Sequence, residues 1–496
     1  MKYILAIDSG TTSTRAIVFN GTSELMSYSL PITQYYPKPG WVEHDANEIW
    51  NTAYECARNA IARRLFSRDI ACIGITNQRE TVVVWDKNTS EPVGNAIVWQ
   101  CRRTADYCNA LVREGYTETI KRKTGLTLNA YFSASKLKWF LDNTPGARER
   151  AERGELLFGT VDSWLIWKFT EGRVHATDAT NASRTMLYNI RTQRWDEDLL
   201  ELFGIPEAML PEVLSCDGDF GTTRLFGTEI PITGVAGDQH AALFGQCCFN
   251  TGDAKTTYGT GAFLLMNTGS VACRSTKGLV TTLSWKLKNE VTYALEGSVF
   301  VAGALISWLR DEMGFITSSE ESERLASSVP DNGGVYIVPA FVGLGAPYWD
   351  SYARGTIVGL TRGTTKAHIM RAALEAIAFE VNDVISLMQL ESNLRISEMK
   401  ADGGASANRL LMQLQANISR IKIKQPPTTE TTALGAAMLA GLGAGIYRDT
   451  GSLEREWQLK CSFSPITQEN ERQKMLKNWQ RAVERSKAWA QEDDNE

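Results

Sequence analysis

The first twenty residues constrain the fold most strongly, because they predict a β-hairpin with an unusual turn. An apolar run at 3–7 gives way to the polar segment 8–15, and a second apolar run follows at 16–19. This pattern predicts a strand, a tight turn and a second strand. The polar segment combines Gly10 with several serine and threonine residues, whose hydroxyl and backbone N–H groups can point at one anion. Phosphate is the common anion of that size, so we expect a phosphate loop.

Asp8 ends the first strand of this hairpin, directly before the polar turn. A carboxylate repels phosphate, so its expected role is to hold a Mg²⁺ ion that bridges to the phosphate oxygens. The alternative is an ordinary surface hairpin whose polar residues only form the turn. Hairpin turns more often use Asn-Gly or Asp-Gly pairs, which favours the phosphate loop.

Length and charge exclude several classes of protein. With 496 residues the chain is too long for one hydrophobic core, so two large domains or a few smaller ones are expected. The net charge of −5 gives no general attraction to nucleic acid or anionic lipid. The uncharged stretch 431–447 falls short of the roughly 20 apolar residues that a bilayer span needs. We therefore expect no nucleic-acid partner and no integral membrane segment.

The cysteines and histidines give no support for a metal centre of their own. None of the nine cysteines forms a Cys-x-x-Cys pair, and the adjacent Cys247 and Cys248 are poorly placed for a mutual disulfide. Reduced, mostly buried thiols in a cytoplasmic protein are therefore expected. The four histidines lack metal-binding spacing, so a zinc site has almost no support.

The second half of the chain begins with a distant copy of the first hairpin. Strand-like segments at 254–258 and 262–266 flank a Gly-Thr-Gly turn at 259–261. Strands and helical segments in both halves predict mixed sheets covered by helices. The copy favours two similar domains joined near residue 250, with a cleft that receives one phosphate loop from each side. A loop of small residues at 402–407 would let a flat or phosphorylated ligand approach the backbone closely.

Asp238 is the candidate general base of this cleft. It follows the apolar strand 232–235, and a carboxylate there can accept a hydroxyl proton close to the metal. The alternative is that Asp238 caps a helix covering 241–246. Both interpretations remain open from these residues alone.

Arg79 and Glu80 are candidates for reading hydroxyl groups. They follow the strand-like segment 73–76, and together they can donate to and accept from neighbouring hydroxyls, which suits a polyol. The alternative is a solvated turn, which most isolated Arg-Glu pairs form. Trp99 and Tyr131 could supply apolar walls for a carbon chain, although such rings more often belong to a core.

The two standard nucleotide motifs, G-x-x-x-x-G-K-[S/T] and G-x-G-x-x-G after a strand, are absent. The chain instead resembles the FGGY carbohydrate kinase family, within the superfamily of actin, hexokinase and the sugar kinases. Segments 36–45, 74–81 and 98–103 are similar to the members that phosphorylate glycerol. Segments 131–139 and 355–375 follow broader patterns of the family.

The resemblance implies roles for three groups of residues. The group around the polyol comprises Arg79, Glu80, Trp99, Tyr131, Asp238, Gln239 and Phe263. The group around ATP comprises Thr11, Thr12, Ser13, Arg15, Thr260, Gly303, Gly404 and Asn408. Asp8 and Asp238 are implied near Mg²⁺, and Asp238 is also the implied general base. The sequence departs from the family pattern at Ser9 and His240, where glutamine is frequent.

The resemblance also implies the architecture and the reaction. It implies two ribonuclease H-like domains of the actin-like ATPase type, each a mixed sheet flanked by helices, with an interdomain cleft. Residues 1–248 would carry the polyol site and a phosphate loop, and residues 249–496 would bind the nucleotide. The implied reaction is ATP-dependent phosphorylation of glycerol to sn-glycerol 3-phosphate with release of ADP, the first step of glycerol catabolism. A homodimer or homotetramer is expected.

Two other functions remain open. A kinase for another polyol or a ketopentose would share the fold, although Arg79, Glu80 and Trp99 match the glycerol-phosphorylating members. An ATP-driven chaperone or filament protein would share the superfamily core. It needs no polyol pocket, and the roughly fifty residues after Tyr447 leave no room for a peptide-binding domain.

Overall fold

Two mixed β-sheets organise the chain. The computed structural model describes residues 2–62, 65–288 and 290–491. Its six-stranded sheet is built from the first half of the chain, and its seven-stranded sheet from the second half. Helices cover both sheets, as the alternation of strands and helical segments predicts.

In the first half the described strands are β1 (Tyr3–Ser9), β2 (Ser13–Asn20), β3 (Ser23–Pro31), β4 (Glu43–His44), β5 (Ile70–Asn77), β6 (Val83–Asp86), β7 (Ala96–Ile97), β8 (Leu156–Gly159), β9 (Ala176–Asp178), β10 (Tyr188–Asn189), β11 (Arg194–Trp195), β12 (Glu212–Leu214), β13 (Thr222–Thr223) and β14 (Ile230–Gly237). The helices are α1 (Ala46–Ala62), α2 (Ala105–Arg113), α3 (Thr117–Thr124), α4 (Ser133–Asn143), α5 (Ala147–Glu152), α6 (Val161–Phe169), α7 (Ala179–Ala182), α8 (Glu197–Phe203) and α9 (Asp238–Gly245).

In the second half the described strands are β15 (Ala254–Tyr258), β16 (Ala262–Gly269), β17 (Val280–Leu287), β18 (Glu290–Val299), β19 (Tyr336–Val338), β20 (Thr356–Val358), β21 (Glu398–Asp402), β22 (Lys422–Gln425) and β23 (Cys461–Phe463). The helices are α10 (Gly303–Asp311), α11 (Glu321–Ala326), α12 (Lys366–Ser392), α13 (Arg409–Ser419), α14 (Thr431–Gly443), α15 (Thr450–Glu456) and α16 (Glu469–Ser486).

The two large sheets repeat one topology. The first has the order β13-β14-β5-β1-β2-β3, and the second has the order β17-β18-β16-β15-β21-β22-β23. In both, the opening hairpin is antiparallel, and its first strand also pairs in parallel with a strand from later in the chain. A further parallel strand follows that one in each sheet. The predicted similarity of the two hairpins is therefore a similarity of whole sheets.

The turn of the first hairpin is shorter than the sequence predicts. Residues 8 and 9 still belong to β1, and β2 already begins at Ser13. The first strand therefore ends one residue later than the predicted end at Asp8, and most of the polar segment 8–15 is strand. The reason is that Asp8 and Ser9 also pair with β5, which prolongs the strand. Asp8 and Arg15 consequently lie opposite each other as cross-strand partners.

Helix α14 joins the two halves, although it lies late in the chain. It packs on the first sheet at two glycines, where a Cβ on Gly74 or on Gly234 would come within 2.2 Å of the helix backbone. It also crosses α9 closely, since a Cβ on Gly435 would lie 1.8 Å from the carbonyl oxygen of Ala241. Alanine and glycine make this helix narrow enough for such an approach. A buried apolar cluster from both sheets surrounds it.

The cysteines match the expectation of reduced, mostly buried thiols. All nine cysteines are free thiols, and seven of them are buried, so Cys247 and Cys248 form no disulfide. Within the described residues, the helices are each too short or too polar to cross a membrane.

Candidate active site

The candidate site lies where parallel strands of the first sheet end. Strands β1, β5 and β14 are parallel neighbours, and Ser9, Asn77 and Gly237 stand in register at their carboxyl ends. Asp8 therefore lies at the same edge as Arg79 and Asp238, which follow the other two strands. Ligands of open α/β sheets bind outside the carboxyl ends of such strands.

Arg79 and Glu80 are buried, with 3% and 1% of their surfaces exposed. The alternative of a solvated turn is therefore wrong. Glu80 has a left-handed backbone with φ of 62°, a conformation that costs a non-glycine residue free energy. The tertiary structure holds this turn inward, because both side chains are engaged in ion pairs within the protein.

Four buried charges form a closed network, which we call the charge ring: Arg79, Glu80, Arg184 and Glu296. Glu296 Oε2 lies 2.5 Å from Nη1 of Arg79, and Glu296 Oε1 lies 2.8 Å from Nη2 of Arg184. Arg184 Nε donates to Oε1 of Glu80 at 2.6 Å. The Arg79 Nε and Glu80 Oε1 atoms, 3.7 Å apart, close the ring. Glu296 is the member that comes from the second sheet.

Within the charge ring the pKa values of the two glutamates shift in opposite directions. Burial alone would raise the pKa of Glu296, but the charges of Arg184 and Arg79 outweigh it and hold this pKa below its ordinary value. For Glu80 burial is the stronger effect, and it raises the pKa of that carboxyl despite the same two arginines. Glu296 is therefore the firmly ionised member that anchors both guanidinium groups.

Asp238 opens helix α9, as its first residue. Gly237 occupies the capping position, so the alternative that Asp238 caps a helix starting at 241 is wrong. Its Oδ1 accepts the backbone N–H of Gln239 at 2.7 Å and lies 3.1 Å from Nε of Arg79. The side chain keeps 32% exposure, so the second carboxylate oxygen can reach a ligand in the cleft.

Gln239 is held by a buried lysine of the second sheet. Lys255 Nζ lies 2.5 Å from the side-chain oxygen of Gln239 and 2.8 Å from the Thr257 hydroxyl. Burial lowers the pKa of Lys255 to about 8, although Asp402 and Asp238 oppose this effect. Through this contact a charged group of the second sheet holds a residue of α9 in the first half.

The aromatic residues predicted for the polyol lie beside the charge ring. Trp99 and Tyr131 meet edge to face with ring centroids 5.4 Å apart, and both are partly exposed. The indole N–H of Trp99 donates to the hydroxyl of Thr11 at 2.9 Å, which links this wall to the first hairpin. Phe263 is partly buried near the start of β16, opposite Thr257.

The first hairpin presents its predicted phosphate ligands at a tight turn. Gly10 N–H donates to the carbonyl of Ser13 at 3.0 Å, and the exposed Thr12 lies within the turn. Arg15 is ion-paired with Glu430, which precedes α14. Arg15 and Glu430 also line a groove of about 630 Å³ that opens beside β3.

The pKa of Asp8 is raised to about 7. Burial is the largest cause, and the charges of Asp238 and Glu430 add to it, while Arg15 opposes them. Three carboxylates thus lie near one another, with Arg15 paired to Glu430 and Arg79 paired to Asp238. The described residues contain no group of three or more metal-binding side chains arranged around one point. A cation held here would take its remaining ligands from water or phosphate.

The predicted nucleotide residues of the second half converge on the second hairpin. Gly303 N–H donates to the carbonyl of Gly259 at 2.9 Å, which sets the first turn of α10 on the hairpin that carries the exposed Thr260. Gly403, with φ of 84°, passes so close to Tyr258 that a Cβ would lie 2.5 Å from its carbonyl oxygen. The next residue, Gly404, is exposed with open space around it.

Asn408 has a structural partner of its own. Its side-chain oxygen accepts the backbone N–H of Leu411 at 2.9 Å and so caps α13. Its amide nitrogen donates to the hydroxyl of Ser322 at 3.2 Å. The residue thereby fixes the helix that follows the Gly403–Gly404 loop.

Sequence reasoning missed Arg184, Glu296, Lys255 and Glu430. A signal existed for two of them, since Lys255 is the one charge of β15 and Glu296 lies inside β18 between uncharged neighbours. A lone charge in a buried strand indicates a partner elsewhere in the fold. The sequence contains no comparable signal for Arg184.

Similarity to a solved structure and to two family models defines the class of protein. A xylulose kinase from Lactobacillus acidophilus shares the two-domain fold with a TM-score of 0.86, covering 98% of this chain and 97% of that chain at 22% identity. The N-terminal domain of the FGGY family of carbohydrate kinases matches residues 3–245, and the C-terminal domain of that family matches residues 254–444. The chain belongs to the FGGY family of carbohydrate kinases, and its fold is of the actin-like ATPase type.

More similar relatives carry one common name. "Glycerol kinase" of Agathobacter rectalis is 57% identical, covering 99% of this chain and all of the relative. "Glycerol kinase 2" of Thermotoga maritima is 55% identical over 99% of both chains. The crystal structure of Plasmodium falciparum glycerol kinase with ADP has a TM-score of 0.93 at 38% identity, covering 98% of each chain.

The raised pKa of Asp8 predicts a pH-dependent gain in stability for Asp8→Asn. Above about pH 4 the unfolded chain loses this proton while the folded chain keeps it, so the wild-type protein loses stability up to about pH 7. Without nucleotide or metal, we expect the Tm of Asp8→Asn to exceed that of the wild type by about 1–3 °C at pH 8. The gap should close towards pH 4.

Scanning fluorimetry from pH 4 to 8 measures this gap. Asp253→Asn is the control, because it makes the same change of carboxylate to amide at a residue that precedes β15, at the opposite end of the second sheet from the site. A gap that stays constant with pH, or that matches the control, would contradict the electrostatic description of Asp8.

Proposed function

We propose that the chain transfers the γ-phosphoryl group of ATP to a terminal hydroxyl of glycerol, giving sn-glycerol 3-phosphate and ADP. The observation that carries the proposal is the placement of Arg79, Glu80 and Asp238 at one sheet edge, beside the Trp99–Tyr131 wall. Charged donors and acceptors next to an apolar wall suit a small polyol. The names of the relatives agree with this chemistry.

The proposed polyol site uses the residues that the sequence predicts. Arg79, Glu80 and Gln239 would exchange hydrogen bonds with the hydroxyl groups. Trp99, Tyr131 and Phe263 would pack against the carbon chain. Asp238 would accept the proton of the attacking hydroxyl as its oxygen bonds to the γ-phosphorus and the bond to ADP breaks.

The proposed nucleotide site faces the polyol from both hairpins. The residues that would surround ATP are Thr11, Thr12, Ser13, Arg15, Thr260, Gly303, Gly404 and Asn408. Backbone N–H and hydroxyl groups of the two hairpins would donate to phosphate oxygens and stabilise the charge of the transition state. Arg15 would have to exchange its Glu430 partner for phosphate.

The residues at the sheet edge fit a Mg²⁺ ion. The fit rests on Asp8, whose pKa is raised by burial and by neighbouring carboxylates. A bound cation would offset this repulsion between carboxylates. Asp8 and Asp238 would hold the ion. When bound, Mg²⁺ would neutralise negative charge on the transferred phosphates.

We further propose that the two domains meet at residues 248 and 249. The support is that α9 ends at Gly245 and β15 begins at Ala254. We also propose a cytoplasmic homodimer or homotetramer, and the nine free thiols agree with a reducing compartment.

A polyol panel tests the proposed substrate. With ATP, Mg²⁺ and coupled detection of ADP, we expect glycerol to give a higher kcat/KM than longer polyols or ketopentoses, because the Trp99–Tyr131 wall suits a short carbon chain. Glycerol-independent ATP hydrolysis is the control reaction. A higher kcat/KM for a pentulose would show that the substrate is a ketopentose. A rate of ATP hydrolysis that no polyol changes would favour a chaperone or filament protein.

Asp238→Asn tests the proposed base. The amide can still accept the Gln239 N–H, but it cannot take a proton, so kcat should fall by roughly 10²- to 10⁴-fold with little loss of Tm. Asp253→Asn is the control and should keep its turnover. If Asp238→Asn turns over glycerol near the wild-type rate, the base lies elsewhere.

A further inference from the structure

Two charged side chains of the second sheet reach across to residues of the proposed polyol site. Glu296 of β18 pairs with Arg79 at 2.5 Å, and Lys255 of β15 contacts Gln239 at 2.5 Å. Both crossing groups are buried, with at most 3% exposure. The side chains that would read the polyol belong to the first half, yet charges of the second half hold two of them in place.

The charge ring is a costly way to join two domains. Removing two arginines and two glutamates from water costs free energy that their mutual attraction often only balances. In addition, Nη1 of Arg184 is a buried donor without a hydrogen-bond partner among the described residues. Apolar side chains of similar volume would join the sheets without this cost. The ring is therefore better explained by what it positions than by the stability that it adds.

We propose that Glu296 is a positioning residue of the polyol site, which acts through Arg79 and Arg184. This inference rests on the proposed function. Glu296 engages both terminal nitrogens of Arg79, at 2.5 and 3.4 Å, and so leaves Nε to face Asp238. It also holds Arg184, whose Nε fixes the carboxylate of Glu80.

Because Glu296 belongs to the second sheet, the charge ring depends on how closely the two halves of the chain approach each other. Arg79, Glu80 and Arg184 all come from the first half, so they take their observed arrangement only while Glu296 is close. Without the charge of Glu296, Arg79 is free to pair more closely with Glu80 or Asp238. The carboxylate that it pairs with is then withdrawn from the polyol. Assembly of the polyol site is thereby coupled to the approach of the two domains.

Glu296→Gln tests this inference, since it keeps the shape and removes the charge. We expect the KM for glycerol to rise by roughly 10- to 100-fold, as when a group that orients a ligand-binding residue is lost. The KM for ATP should stay within about twofold, because no proposed nucleotide residue contacts the ring. Glycerol binding without nucleotide, measured by calorimetry, should weaken by a similar factor.

Glu375→Gln is the matched control. Glu375 is also a buried carboxylate that accepts from an arginine, Arg371 at 2.7 Å, and from an amide, Asn332 at 2.8 Å, but it lies on α12 away from the cleft. A loss of general stability should appear in both variants. Only Glu296→Gln should raise the KM for glycerol while leaving the KM for ATP nearly unchanged.

Arg184→Lys is a second and independent test of the positioning role of Glu296. It keeps the charge but cannot bridge Glu80 and Glu296 as a guanidinium does, so it should also raise the KM for glycerol selectively. If Glu296→Gln does not fold, Arg184→Lys decides the question. The double variant should be little worse than the more damaging single variant, because both changes break one unit.

The outcomes separate this inference from the proposed function. If wild-type protein does not phosphorylate glycerol, the proposed function fails, and the same variants are read with the preferred polyol of the panel. If wild-type protein is active but Glu296→Gln leaves the KM for that polyol unchanged, the inference is overturned. Equal rises in both KM values, or a matching effect in Glu375→Gln, overturn it too.

Discussion

The charge ring between the two sheets is the interaction on which the candidate site depends. Arg79, Glu80 and Arg184 are buried in the first half, where unpaired charges could not remain. Glu296 supplies the negative charge that lets two guanidinium groups lie side by side. The ring also holds Arg79 against Asp238, so the proposed base and the proposed polyol residues share one electrostatic framework.

The repeated topology explains why such a framework can form. Each sheet ends its parallel strands beside a polar hairpin, and the narrow helix α14 lets the two halves approach closely. One hairpin and its neighbouring strand ends then carry Asp8 and Asp238, while the other carries the loop at Gly403 and Gly404. In the proposed reaction the hairpins position the phosphates, and the charge ring with its aromatic wall selects the acceptor.

Local patterns allowed much of the fold to be predicted from the sequence. The two hairpins, the mixed sheets and the strand before Asp238 follow from apolar periodicity and turn residues, which are local properties. The first strand ends one residue later than predicted because Asp8 and Ser9 pair with β5, a contact between distant segments. The capping alternative for Asp238 and the solvated alternative for Arg79 failed for the same kind of reason, since tertiary contacts decide both.

The remaining part of the site lies outside the reach of local patterns. Glu296 and Arg184 are separated from Arg79 by more than a hundred residues, and only the folded chain brings them together. The raised pKa of Asp8 likewise depends on Asp238 and Glu430, which are distant in sequence. The family resemblance supplied residues that touch ligands in relatives, whereas the groups that hold those residues became visible only in the structure.

A crystal structure of the protein with glycerol and ADP is the decisive measurement for the charge ring and the polyol site. We expect glycerol hydroxyl groups within hydrogen-bond distance of Arg79, Glu80 and Asp238, with the carbon chain against Trp99. Glu296 should still bridge Arg79 and Arg184 in that complex. Glycerol bound away from these residues would contradict the proposed polyol site, and a complex in which Glu296 has left both arginines would contradict its positioning role.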